Sequence, residues 1–179
     1  MEVINQAIAT DSGMFALWDA KTFEHITDYD LWEIELCEDE DIQKHILAGA
    51  FVPINIGADG GFQFVVRVGN QNAPATLSIR EALYLVVSSE PYLLLTTGNT
   101  FISGVEKISS DYLDEIPRIL LEQGRYTVTI HMLNWEAEEG VRDTDGNISA
   151  TALSDFVVLI NPEVEKLQYR QKTVTFDRK

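Results

Sequence analysis

Apolar and polar residues alternate along residues 125–132 of this chain. Val128, Ile130 and Met132 fall on one side of an extended backbone, whereas His131 and two threonines fall on the other. Since successive side chains of a strand point to opposite faces, this segment predicts a strand with one buried face. Its β-branched residues favour the same structure.

Two further segments predict strands that differ in burial. Residues 62–68 repeat the alternation, whereas residues 155–161 are apolar on both faces, as is typical of a central strand. Three glycines lie within residues 57–61, between the apolar residues 51–56 and the strand at 62–68. Glycine-rich segments of this length often connect paired strands, so we expect a hairpin there.

Helical patterns are few and short. Residues 39–48 begin with acidic side chains and continue with apolar residues at helical spacing, which predicts a helix. Residues 111–122 predict only two short turns, because Pro117 interrupts them. Residues 161–170 begin with Asn-Pro, a common helix start, and predict a third helix. Alternation returns at residues 172–176 and predicts an edge strand.

Short strands separated by turn residues favour a mainly β fold. The pattern indicates an antiparallel β-sandwich or an open barrel with one to three short helices. The chain has 179 residues, the length of one domain, and contains no internal repeat or linker. We therefore expect residues 1–179 to form a single globular domain.

The charge of the chain is strongly and unevenly negative. It has 13 Lys and Arg residues against 29 Asp and Glu residues, a formal net charge of −16. Residues 1–66 hold two bases and 13 acids, whereas residues 67–179 hold 11 bases and 16 acids. Such a field repels nucleic-acid phosphates and anionic membranes, so we expect neither as a partner. It attracts a basic protein, although an acidic surface also serves solubility alone.

The sequence lacks the signatures of common catalytic and cofactor sites. It has no G-x-S-x-G, H-E-x-x-H, C-x-x-C or Walker A motif, and no G-x-G-x-x-G after a strand. We therefore expect no cofactor and no enzymatic activity. The one cysteine, Cys37, cannot form an internal disulfide, and the first residues do not resemble a secretion signal. With apolar runs too short to cross a membrane, these features predict a soluble cytoplasmic protein.

The densest cluster of reactive side chains lies at residues 36–45. It combines Cys37, the four carboxylates at residues 38–41, and His45. The spacing of Cys37 and His45 matches no standard zinc site. Carboxylates suit the positive start of a helix, and Asp41 lies four residues before His45, where the two can pair on one face. The cluster therefore indicates a helix start and an acidic surface rather than a metal site.

A partial calcium-loop pattern places Asp143, Asp145 and Asn147 at alternate positions, which makes them weak metal candidates. An EF-hand requires glycine directly after the third ligand and a glutamate at the twelfth position. Here Gly146 precedes Asn147, and the twelfth position is Ser154. The pattern favours an ordinary turn, so we expect no metal site.

Aromatic and acidic residues are interleaved along residues 15–34. Aromatic rings supply buried anchors in protein interfaces, and carboxylates steer a basic partner, although the rings also suit a core. Together with the acids at 38–41, this pattern predicts a partner-binding surface formed by Trp18, Asp19, Asp28, Tyr29, Asp30, Trp32, Glu33, Glu38, Asp39, Glu40 and Asp41.

Three functions remain open on these observations. The first is a non-enzymatic acidic interaction module that binds a basic protein, such as an immunity or inhibitor protein that occupies the cationic cleft of a nuclease. The second is a β-sandwich that binds a small molecule or carbohydrate, with or without calcium. The third is an enzyme that uses His131 or the glutamates at 136, 138 and 139 as acid–base groups.

Overall fold

The computed structural model describes residues 1–177. It is 37% strand and 18% helix, which confirms the predicted mainly β fold with few helices. The α-helices of the described range are α1 (Tyr29–Leu36), α2 (Asp39–Leu47) and α3 (Ile79–Leu83). Its strands are β1 (Glu2–Thr10), β2 (Met14–Asp19), β3 (Phe51–Asn55), β4 (Gly60–Val68), β5 (Leu85–Ser88), β6 (Tyr92–Thr96), β7 (Thr100–Gly104), β8 (Arg118–Ile119), β9 (Gly124–Leu133) and β10 (Phe156–Pro162).

Within residues 1–177 these strands form two sheets. The larger sheet has the order β1-β4-β10-β9-β5, and β6 pairs separately with β9. The smaller sheet has the order β3-β2-β7-β8. Neighbouring strands are antiparallel except β4 and β10, which run parallel. No helix of the described residues is long and apolar enough to cross a membrane.

Both sheets contribute to one hydrophobic core. Phe15 of β2 is buried together with Phe64 of β4, Ile130 of β9 and Val158 of β10. The ring centroids of Phe15 and Phe64 lie 4.9 Å apart in an edge-on arrangement, which joins the smaller sheet to the larger one. Full burial of a large apolar side chain contributes roughly 1.5–3 kcal/mol, so these contacts dominate the stability of the fold.

The predicted alternation of buried and exposed positions is present in β9. Val128, Ile130 and Met132 are buried, and His131 lies half-buried on the opposite face. The segment predicted as a central strand becomes β10, which lies between β4 and β9 and is buried from Phe156 to Ile160. Periodicity therefore identified β9 and β10 and their buried faces correctly.

The glycine-rich segment at residues 57–61 does not form the predicted hairpin. It leads from β3 in the smaller sheet to β4 in the larger one, so it connects the two sheets instead. Gly57 and Gly60 have φ angles of 64° and 139°, which other residues adopt poorly. The glycines indicate a turn correctly, but they carry no information about which strands pair.

The predicted helix at residues 161–170 is also wrong. Asn161 lies within β10, and its side chain accepts a hydrogen bond from the Ala75 N–H at 2.6 Å instead of capping a helix. Residues 172–176 form only an isolated bridge with Asn55, not the predicted edge strand. Contacts with distant segments therefore determine the backbone conformation of this region.

The helix predicted at residues 39–48 forms as α2 and ends one residue earlier. Ile42 and Ile46 are buried on its inner face. Gly49 follows with a φ of 72°, the left-handed conformation that commonly ends a helix. Helices α1 and α3 had no counterpart among the predicted elements.

Asp19 is fully buried at the end of β2. Its carboxylate accepts hydrogen bonds from the hydroxyls of Thr96 and Thr97 at 3.0 Å. It also accepts from the backbone N–H of Thr97 at 2.7 Å and of Lys21 at 3.2 Å. A buried charge with this many donors is stabilised, and its removal leaves those donors unpaired.

We expect Asp19→Ala to lower the free energy of unfolding by about 2–4 kcal/mol, because buried donors lose their acceptor. Urea unfolding followed by circular dichroism measures the change. Asp59→Ala is the matched control, since Asp59 is exposed in the turn after β3. It should alter stability by less than about 0.5 kcal/mol. Equal effects of the two substitutions would refute the structural role of Asp19.

Candidate protein-binding surface

The acidic helical segment, which we define as residues 28–41, contains eight carboxylates and no base. It comprises α1 and the start of α2, and six of its carboxylate side chains are exposed. Asp28 caps α1, because its Oδ1 accepts a hydrogen bond from the Leu31 N–H at 3.0 Å. Carboxylates near a helix start interact favourably with the backbone dipole, which offsets part of their mutual repulsion.

Glu35 of α1 contacts two histidines, His45 of α2 and His25 in the turn before α1. Its Oε1 lies 3.1 Å from His25 Nε2, and its Oε2 lies 2.8 Å from His45 Nε2. Burial would raise the pKa of Glu35, but the hydrogen bonds and charges of the two histidines outweigh burial and lower it. The predicted pairing of Asp41 with His45 is therefore wrong, and Asp41 instead contacts Lys44 at 2.5 Å.

A groove of about 220 Å³ lies beside this segment, between the start of α1 and the turns that follow β7. Its walls combine aromatic, apolar and acidic side chains. We call it the aromatic groove, and it is lined by Ile26, Thr27, Asp28, Tyr29, Trp32, Glu106, Ile108, Ser109, Asp111 and Tyr112. The groove is continuous with the acidic helical segment, because Asp28, Tyr29 and Trp32 belong to both.

The aromatic wall of the groove is held in a fixed position. The Trp32 Nε1–H donates a hydrogen bond to the Val105 carbonyl at 2.9 Å, which anchors α1 to the end of β7. The Tyr29 ring stacks on Trp32, with centroids 5.9 Å apart and planes inclined by 19°. Tyr29 is 67% exposed, so its ring is accessible from solvent.

The Glu106 carboxylate is held against the opposite wall. Its Oε2 lies 2.8 Å from the Ser12 hydroxyl and 3.0 Å from the Thr10 hydroxyl. Its Oε1 accepts a hydrogen bond from the Asp11 N–H at 3.3 Å. A Cβ at Gly104 would lie 2.1 Å from Oε1, so the glycine makes room for this carboxylate. The groove therefore presents a negative charge whose position is set before any ligand binds.

Nine of the eleven predicted contact residues lie in the acidic helical segment, and the other two do not. Trp18 is 1% exposed and donates its indole N–H to the buried Ser103 hydroxyl at 3.1 Å. Asp19 is 0% exposed. Neither side chain reaches the surface, which corrects their assignment as partner contacts. Both are core residues, so the alternative interpretation of the aromatic pattern was right for this strand.

Sequence reasoning missed the far wall of the groove. Glu106, Asp111 and Tyr112 lie 70 or more residues after α1 in the chain, and the pairing of β7 with β2 brings them near it. The one available signal was a second local mixture of acids, serines and a tyrosine at residues 106–112. That mixture is common in loops, so it does not indicate a site by itself.

Two of the three glutamates proposed as acid–base groups, Glu136 and Glu138, form ion pairs. Glu136 lies 2.9 Å from Arg142, and Glu138 lies 2.6 Å from Arg80. The hydrogen bond from Arg80 lowers the pKa of Glu138, whereas a general acid needs a raised one. Glu138 therefore lacks the environment that a general acid requires.

His131 has a hydrogen-bonding neighbour at each ring nitrogen. The Ser88 hydroxyl lies 2.7 Å from Nδ1, and the Thr129 hydroxyl lies 3.2 Å from Nε2. Burial lowers the pKa of His131, and the negative charge of Glu81 offsets that only in part. The residue is thus a strand histidine held by local hydrogen bonds.

The loop with the weak metal candidates closes as an ordinary turn. The Asp143 Oδ1 accepts hydrogen bonds from the backbone N–H of Asp145 at 2.9 Å and of Asn147 at 2.8 Å. Hydrogen bonds, chiefly from the Asn147 side chain, lower the pKa of Asp143. Within residues 1–177, no group of three or more His, Cys, Asp or Glu side chains is arranged to hold a metal ion.

A second concavity of about 730 Å³ lies on the outer face of the larger sheet. Polar side chains of β1 and β4 form its floor, and residues 148–155 form one side. Ser154 is one of the lining residues, and its hydroxyl is buried without a hydrogen-bond partner among the described residues.

Solved structures resemble this chain in fold. "Crocagin biosynthetic gene J" superposes with a TM-score of 0.55 at 16% identity, covering 89% of this chain and 96% of its own. ComJ from Bacillus subtilis, described as an inhibitor of the DNA degrading activity of NucA, gives 0.51 at 11% identity, covering 90% and 97%. No protein-family model matches the sequence, and no curated protein matches it. At these identities the likeness establishes the fold alone.

We expect Gly104→Ala to displace the Glu106 carboxylate from the groove wall, because the added Cβ leaves it no room. Loss of its contacts with Thr10 and Ser12 should lower the free energy of unfolding by about 1–3 kcal/mol. Gly61→Ala is the control, since no atom lies within 4 Å of its added Cβ. Crystal structures and urea unfolding of both variants provide the measurement. An unmoved Glu106 in the Gly104 variant would contradict this account.

Proposed function

We propose that this chain is a non-enzymatic interaction module that binds a basic protein partner through the acidic helical segment and the aromatic groove. The observation that carries the proposal is the coincidence of eight carboxylates without a base and a preformed groove lined by Tyr29, Trp32 and Tyr112. Carboxylates accelerate the encounter with a cationic partner, and aromatic side chains supply the binding energy of an interface.

The partner class that fits this surface best is a protein with a cationic cleft. Proteins that act on nucleic acids carry such clefts because they neutralise phosphates with Lys and Arg. A row of carboxylates on rigid helices can occupy the same cleft and block it. The fold shared with ComJ, an inhibitor of a DNA-degrading activity, supports an inhibitor role, although the shared fold does not identify the partner.

Competing explanations for the acidic segment predict different behaviour. If the carboxylates serve only solubility, neutralising any three exposed acids should change the association rate equally. If they form an interface, association should slow only when acids of the acidic helical segment are neutralised. This contrast sets the design of the experiment.

We expect the association rate with the basic partner to fall by about tenfold or more between about 50 and 500 mM salt, because salt screens the opposite charges. The partner is first captured from a host lysate on the immobilised full chain, purified and then tested by surface plasmon resonance. Glu38→Gln, Asp39→Asn and Glu40→Gln together should slow association by a similar factor at low salt.

The matched control neutralises Glu122, Glu139 and Glu165, which are exposed and lie outside the acidic helical segment. It changes net charge by the same amount and should leave the association rate within about twofold. Equal slowing by both triple variants, or an association rate independent of salt, would reject the proposed interface.

The outer concavity favours a second candidate function, the binding of a small polar molecule or carbohydrate. Its volume of about 730 Å³ lies within the roughly 300–1,000 Å³ of ligand sites, and Ser154 leaves one buried hydroxyl unpaired. This candidate predicts that a neutral sugar raises the melting temperature of the chain by about 2 °C or more at saturation, and that Ser154→Ala reduces this shift. A sugar panel that leaves the melting temperature unchanged argues against it.

A further inference from the structure

We infer that the aromatic groove receives the guanidinium group of a single arginine side chain of the basic partner. The inference deepens the proposed function, because it names the chemical group that the partner inserts. The acidic helical segment would then steer the partner, and the groove would hold its anchor.

The size of the groove favours one side chain over a whole ligand. Its volume is about 220 Å³, below the roughly 300 Å³ at which sites for drug-sized molecules begin. Interfaces concentrate their binding energy in anchors of this kind, where one side chain fills a pocket, and arginine is among the commonest. A single long side chain therefore matches the space that the groove offers.

The lining of the groove matches a guanidinium group in two ways. A guanidinium is planar and stacks on aromatic faces, and the exposed Tyr29 ring, stacked on Trp32, supplies such a platform. It also binds carboxylates through a fork of N–H donors, and Glu106 and Asp111 line the same groove. Lysine has neither the plane nor the fork, so it fits this combination less well.

The electrostatic balance of the groove is negative. The start of α1 contributes roughly half a positive charge, which by itself would disfavour a cation. The carboxylates of Asp28, Glu106 and Asp111 exceed that charge several-fold. Glu106 is also held in position by Thr10 and Ser12, so little ordering remains when a cation binds.

The test uses the full chain and a small probe, N-acetylarginine methylamide, with N-acetylcitrulline methylamide as its neutral isostere. Binding is followed by the NMR signals of the three indole N–H groups, with Trp32→Phe identifying the Trp32 signal. We expect the arginine probe to shift the Trp32 signal saturably, with about tenfold weaker binding of citrulline. The indole signals of Trp18 and Trp135 serve as internal references for the fold.

Variants of equal charge separate the groove from the acidic helical segment. Glu106→Gln with Asp111→Asn should weaken the arginine probe by about tenfold, whereas Asp39→Asn with Glu40→Gln should change it by less than about twofold. Tyr29→Ala, at an exposed position, should also weaken the probe. Retained Trp18 and Trp135 signals show that each variant folds.

Three results would overturn the inference. They are equal binding of arginine and citrulline, equal loss in both pairs of carboxylate variants, and binding of N-acetyllysine methylamide as tight as that of the arginine probe. Failure here is distinct from failure of the proposed function. The partner could bind with steep salt dependence and require residues 38–40 while the arginine probe fails to bind the groove. That result would support the proposed interface and reject the arginine anchor.

Discussion

The candidate surface depends on the pairing of β2 with β7. This register places Phe15 opposite Gly104 and Trp18 opposite Phe101. It thereby brings the turn after β7, with Glu106, against the β1–β2 connection, with Thr10 and Ser12. The same pairing leaves the Val105 carbonyl where Trp32 can donate to it. A groove lined by two distant parts of the chain thus follows from one antiparallel ladder.

Much of the fold and about half of the surface could be predicted from the sequence, for reasons that differ by residue. Period-two alternation identified β9 because burial acts on each residue of a strand separately. Seven of the eight carboxylates of residues 28–41 were predicted to form an acidic surface, because local composition suffices to indicate one, whereas helix α1 was not predicted. The far wall of the groove was not, since Glu106, Asp111 and Tyr112 reach it only through strand pairing, which periodicity does not encode.

The error at Asp19 has an identifiable physical origin. A carboxylate in an apolar strand ordinarily indicates a surface, because an isolated buried charge is unfavourable. Here four hydrogen bonds from Thr96, Thr97 and Lys21 compensate it, and these donors come mainly from the connection after β6. At residues 57–61 the glycines indicate a turn correctly, but they do not determine which strand β4 pairs with.

The eight carboxylates of residues 28–41 also bear on the energetics of the free protein. Crowded like charges repel one another, and this repulsion destabilises the segment. The contacts of Glu35 and Trp32 hold the segment in place against it. Bound cations reduce this repulsion. Such a surface lowers the stability of the free protein, and the folded chain becomes more stable when cationic groups bind to it.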